Sequence, residues 1–140
     1  MTKIINETIK LNTRGAGHLI NITAEISKAL ESSKLKKGNL TVFVVGSTAG
    51  ITTFEYEPGL VKDVQELYEK LIPSDKRYNH DETWGDDNGF SHLRATLTGP
   101  SLAIPFDNGR LLLGTWQQVV LAEFDIRARQ REVVVSIVGE

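Results

Sequence analysis

Leu102-Ala103-Ile104-Pro105-Phe106-Asp107-Asn108-Gly109-Arg110-Leu111-Leu112-Leu113 is the stretch on which the reading of the fold turns. An Asn-Gly pair readily takes the positive φ that a tight turn requires. The β-forming runs on either side, residues 102–106 and 110–113, therefore read as two antiparallel strands joined at Asn108-Gly109. Downstream, residues 116–124 and 132–138 continue as strands, rich in Val and Ile. Immediately upstream, residues 91–97 also read as a strand.

Working back toward the N-terminus, the pattern changes. Leu60, Val64, Leu67 and Leu71 recur at helical spacing, after Pro58 at a suitable first-turn position and before Pro73 as a stop. Residues 40–45 and 51–54 are short apolar strands broken by Gly46-Ser47-Thr48-Ala49-Gly50. Ile22, Ile26, Ala29 and Leu30 mark an earlier helix that Asn21 or Thr23 can cap. In the opening segment Ile5, Glu7, Ile9 and Leu11 share one side, an imperfect strand alternation. Two main helices followed by a run of antiparallel strands predict an α+β fold, a single domain over residues 1–140 with the helices packed on one side of mainly antiparallel sheet.

Composition narrows the class of function. With 40% hydrophobic and 24% charged residues the chain can fold around a core. A net charge of -2 offers no electrostatic basis for nucleic-acid binding. There is no cysteine, which excludes disulfides and thiolate metal sites and suits the cytoplasm. No apolar run reaches the roughly 20 residues of a membrane helix, so no membrane partner is expected.

Chemistry concentrates in Tyr78-Asn79-His80-Asp81-Glu82-Thr83-Trp84-Gly85-Asp86-Asp87-Asn88-Gly89-Phe90-Ser91-His92. Residues 74–90 show no apolar period, and so many charges must be solvated or gathered around a polar ligand. His80 and His92 either cap the neighbouring elements of an acidic loop or join its carboxylates around a cation. Imidazole with carboxylate suits zinc or manganese, although the spacing matches no familiar zinc pattern. Gly46–Gly50 is a plain bend or a loop that offers N–H groups and hydroxyls to an anion; it lacks the P-loop pattern. Glu55 and Glu57 share a face as surface charges or as acid/base groups. His18 reads as a structural hydrogen-bonding residue and Trp116 as core or interface. Arg127, Arg129 and Arg131 read as a solvated strand edge, with anion binding as the minority alternative.

Further segments have a familiar order: Arg14-Gly15 with His18, Ser47-Thr48-Ala49 followed by Glu55, and Tyr78 with His80-Asp81. They continue as Ser91-His92-Leu93-Arg94-Ala95, Leu97-Thr98-Gly99-Pro100-Ser101, Gly109-Arg110, Gly114-Thr115-Trp116-Gln117 and Gly139-Glu140. Together they resemble the YjbQ-like family, small proteins of unsettled function, over nearly the whole chain. The resemblance implies a homotrimer whose pocket, at or near the subunit interface, gathers polar residues around a metal or anion. Some members are associated with a weak thiamine-phosphate synthase activity, which joins a pyrimidine diphosphate to a thiazole phosphate.

Carried onto this chain, the resemblance implies a divalent metal (zinc, manganese or magnesium) on His80, His92 and Asp86 or Asp87. Ser47, Thr48, Arg94 and Ser101 would hold a phosphorylated ligand, with Glu55 and Arg94 in catalytic roles. Gly46 stands where many members have a histidine, and the loop between His80 and His92 is one residue longer than in common bacterial members. A trimer that binds a metal or small anion without turnover is the alternative, and a purely structural trimer a third.

Overall fold

The computed structural model describes residues 1–140. Eight strands and four helices follow one another as β1 (Lys3–Asn12), β2 (Leu19–Asn21), α1 (Thr23–Ser33), β3 (Gly38–Val45), β4 (Ala49–Glu55), α2 (Pro58–Leu71), α3 (Asn79–Trp84), α4 (Gly89–Thr98), β5 (Ser101–Asp107), β6 (Arg110–Leu111), β7 (Gln117–Glu123) and β8 (Gln130–Gly139). They build a five-stranded sheet in the order β1-β8-β3-β5-β6 and a three-stranded sheet in the order β2-β7-β4. Every strand pair is antiparallel. The fold is α+β, and no helix is long and apolar enough to cross a membrane.

The expected hairpin forms at Asn108-Gly109. Both residues have positive φ, 51° and 73°, and Asp107 pairs with Arg110 across the turn. Period-2 alternation then sorts the side chains of β7. Val119 and Leu121 enter the main core with Leu40, Val42, Val133, Val135 and Ile137 of the large sheet and Ile26 and Leu30 of α1. Val120 and Ala122 point the other way, toward Ala95 of α4 and the half-buried Val61, Val64 and Tyr68 of α2. The small sheet is thus covered on both faces, by the large sheet with α1 and by α2 with α4.

Three expectations of local structure are corrected. Residues 91–97 are helical, not extended: Ser91, Arg94 and Ala95 are buried at helical spacing, while Leu93 and Leu97 are exposed. The polar stretch before them also contains a helix, α3, held by side-chain hydrogen bonds rather than by apolar periodicity. The face that α2 buries also differs from the expected one. Val61, Val64 and Tyr68 pack inward, whereas Leu67 and Leu71 are exposed.

Candidate functional site

The α3–α4 hairpin is stapled by one carboxylate. Buried Asp81 accepts hydrogen bonds from the N–H of Tyr78 at 2.9 Å and from the N–H of Gly89 at 2.9 Å, tying the start of α3 to the start of α4. Gly89 must lack a side chain, because a Cβ there would lie 2.7 Å from Tyr78 Cβ. Gly85 and Asp87, both with positive φ, reverse the chain between the helices.

These two backbone hydrogen bonds, first from Tyr78 and then from Gly89, hold the Asp81 carboxyl below its ordinary range. A depressed carboxyl contributes stability that is present above the unfolded-state value and is lost as pH falls through the folded one. Asp81→Asn should therefore flatten the loss of stability below about pH 4. Denaturation midpoints at a series of pH values will check this, and slopes equal to wild type would contradict it.

The hairpin brings His80 and His92 together, with ring centroids 4.4 Å apart. His80 Nε2 lies 3.7 Å from a carboxylate oxygen of Asp86, outside hydrogen-bond distance. It is one of three buried side-chain polar atoms without a partner, with Asn88 Oδ1 and Ser91 Oγ. All three belong to this hairpin, and a buried polar atom left unsatisfied costs about 1–3 kcal/mol. Asp86 and Asp87 diverge: Asp87 lies 3.9 Å from Arg77 Nη1 and lines a different depression, with Asp81 and Lys76.

Asp86 and Asn88 form one wall of a cleft of about 300 Å³, whose other wall is Asp125, Ile126, Arg127 and Arg129. A larger groove of about 450 Å³ lies between α1 and the β6–β7 connection, lined by Thr23, Glu31, Arg110 and Gln117 among others. None of the unpartnered atoms belongs to its lining residues, so the smaller cleft is the better candidate. Beneath that cleft runs a buried ionic network. Arg129 bonds Asp125 through Nε at 2.7 Å, and Thr48 bridges Asp125 to Arg131. Arg131 in turn grips Glu123 with Nε and Nη2. Burial pushes the Glu123 carboxyl up, against the opposing pull of Arg131.

Arg131 is therefore not on a solvated edge; its side chain is only 8% exposed. Arg127 and Arg129 do reach the cleft. Sequence reading misses Glu123 and Asp125, names Asn88 and Ser91 only within the polar stretch, and puts Arg131 on a solvated edge. For Glu123 and Arg131 a signal existed, since each lies two residues from a core position, Leu121 and Val133.

Other expected site residues are placed apart. Arg94 points toward α2, where it bonds the Ile72 carbonyl through Nε and Nη2 and Glu69 at 2.7 Å, closing the C-terminus of α2. Thr48 is locked in the ionic network, while Ser47 and Ser101 are exposed. Glu55 ends β4, about 20 Å along the strand from Thr48. Glu57 accepts from Gly59 and Leu60 N–H groups as the cap of α2. Trp116 precedes β7 and is 71% exposed, so it does not belong to this chain's core. His18 Nδ1 accepts the Arg14 N–H at 3.0 Å, the structural role expected of it.

Two imidazoles and the Asp86 carboxylate fit a divalent ion in donor chemistry, and His80 Nε2 has no competing partner. They remain an incomplete set, for no three His, Asp or Glu side chains in the chain are gathered as metal ligands would be. Closing the coordination shell would need donors from a ligand or another subunit.

Residues 7–140 match the family model described as UPF0047 protein YjbQ-like. The chain belongs to the UPF0047, YjbQ-like family. A UPF0047 protein of Methanothermobacter thermautotrophicus is 38% identical, over 99% of this chain and 94% of the relative. One from Archaeoglobus fulgidus is 38% identical, over 91% and 97% respectively. A crystal structure described as a YbjQ-like protein of unknown function, from Sulfolobus solfataricus P2, superposes with a TM-score of 0.94 at 31% identity, covering 100% of both chains. A hypothetical protein from Aeropyrum pernix K1 reaches 0.86 at 31% identity, over 96% of this chain and 99% of the other. The UPF0047 likeness thus extends over the α3–α4 hairpin as well as both sheets.

Proposed function

We propose that this chain binds a divalent metal ion together with a small phosphorylated or anionic metabolite, in the cleft between the α3–α4 hairpin and the loop after β7, and works as a homotrimer. The observation that carries the reading is the set of unpartnered atoms on His80, Asn88 and Ser91, all in one hairpin, of which Asn88 lines that cleft. His80 and His92 would hold the metal, with the Asp86 carboxylate drawn in from its place 3.7 Å from His80, and the ion would supply charge stabilisation to phosphate oxygens. Arg127 adds positive charge on the facing wall, where Arg129 is paired with Asp125. The ligand shell left open by a single chain favours a site completed by a neighbouring subunit.

A transferase of the thiamine-phosphate synthase type is the catalytic version of this reading. There the thiazole nitrogen bonds to the pyrimidine methylene carbon as the carbon–oxygen bond to diphosphate breaks. Arg127 suits the departing diphosphate. Glu55, distant within its own chain, would have to reach the cleft from another subunit. Binding without turnover needs no such group, and a single chain supports it best.

Elemental analysis of the purified protein tests the metal. Near-stoichiometric zinc or manganese in wild type, lost in His92→Ala, is the expected result. Metal-free wild type that divalent ions do not stabilise against heat would overturn it.

A further inference from the structure

Arg131 has a donor that the ionic network leaves unused. Its Nε and Nη2 are committed to Glu123 and Thr48. Nη1 has no hydrogen-bond partner in the protein, although more than nine-tenths of the side chain is buried. That nitrogen lies 2.7 Å from where a Cβ on Gly46 would stand, with the φ of Gly46 at 145°. The missing side chain therefore leaves Nη1 uncovered beside an exposed turn. The N–H groups of Gly46, Ser47 and Thr48 donate to no backbone carbonyl, and the exposed Ser47 hydroxyl makes no bond within the protein.

We propose that Arg131 Nη1 and the Gly46-Ser47-Thr48 turn form a site for a phosphate group. A guanidinium nitrogen presents two N–H donors to such an oxyanion, and its burial fixes their direction. Glu123 and Asp125 face the same guanidinium network, but both are paired, with Arg131 and Arg129. The site needs neither the metal nor the imidazoles.

Inorganic phosphate is the probe, titrated by calorimetry into chelator-treated, metal-free wild type, Gly46→Asp, Ser47→Asp and His92→Ala. Gly46→Asp brings a carboxylate onto Nη1. Ser47→Asp repels the anion from the same turn without loading the strained backbone, which guards against a folding defect in the first variant. Both aspartates should weaken phosphate binding about ten- to hundredfold, with His92→Ala close to wild type. A phosphomonoester such as glycerol phosphate, run alongside, separates a phosphorylated metabolite from free phosphate by which binds more tightly. Unchanged affinity in both aspartate variants would overturn the site, as would a wild type that binds no phosphate. Loss of binding in His92→Ala alone would also overturn it, moving the anion to the histidine cleft.

Discussion

Replacing Arg131 with alanine should destabilise the protein by about 3–5 kcal/mol, because it strands a buried carboxylate. Glu123 is fully buried and takes its side-chain hydrogen bonds from Arg131. Thr48, also buried, loses the Arg131 bond that ties it to the same network. For a chain of this length the melting temperature should fall by about 10–15 °C. The double variant Glu123→Leu/Arg131→Met removes both charges and keeps the volume, and should recover most of the loss, since the penalty is that of the unpaired ion. Chemical denaturation of the three proteins decides it. A single variant within about 1 kcal/mol of wild type would show that the network contributes little.

Phe106→Ala should cost a similar amount, about 3–5 kcal/mol, for a different reason. Phe106 is 2% exposed and pairs across the ladder with Gly38, which itself pairs with Gly139. A Cβ on Gly139 would come within 2.9 Å of the Phe106 ring, so the ring covers a patch of sheet where two glycines offer no side chain. Neither glycine can fill the hole left by its removal. Urea unfolding measures the loss, and a cost below about 1.5 kcal/mol would mean that the sheet closes over the gap.

The parts of the fold legible in the sequence are those where one local rule dominates. Asn108-Gly109 specifies a turn whatever surrounds it, and the Val-rich β8 alternates cleanly into the core. The misreading of residues 91–97 has an equally specific cause. Leu93 and Leu97 are apolar but exposed, while the buried Arg94 serves to close α2. The apolar residues thus do not mark the buried face, and the helical period is carried by Ser91, Arg94 and Ala95. Helix α3 was hidden because its anchor is the polar Asp81, whose hydrogen bonds join segments eight residues apart.

The same contrast holds at the site. A concentration of His and Asp between residues 80 and 92 singles out one hairpin, and His80 and His92 do meet there. Distances along folded strands and helices are another matter. Glu55 and Arg94 stand in sequence near Ser47 and His92, yet one ends a strand about 20 Å along from Thr48 and the other is spent on a helix terminus. The arginine row shows how context reverses a default: continuing the alternation of Val133, Val135 and Ile137 back by one step places Arg131 inside.

That the hairpin holds the ligand site is tested most directly by the side-chain nitrogen resonances of its histidines. The chain has three histidines, and His18 is an internal control, pinned by the Arg14 N–H outside the hairpin. On titration with zinc in a long-range proton–nitrogen spectrum, the imidazole signals of His80 and His92 should move together while those of His18 stay. A response from His18 alone, or from none of the three, would contradict the account.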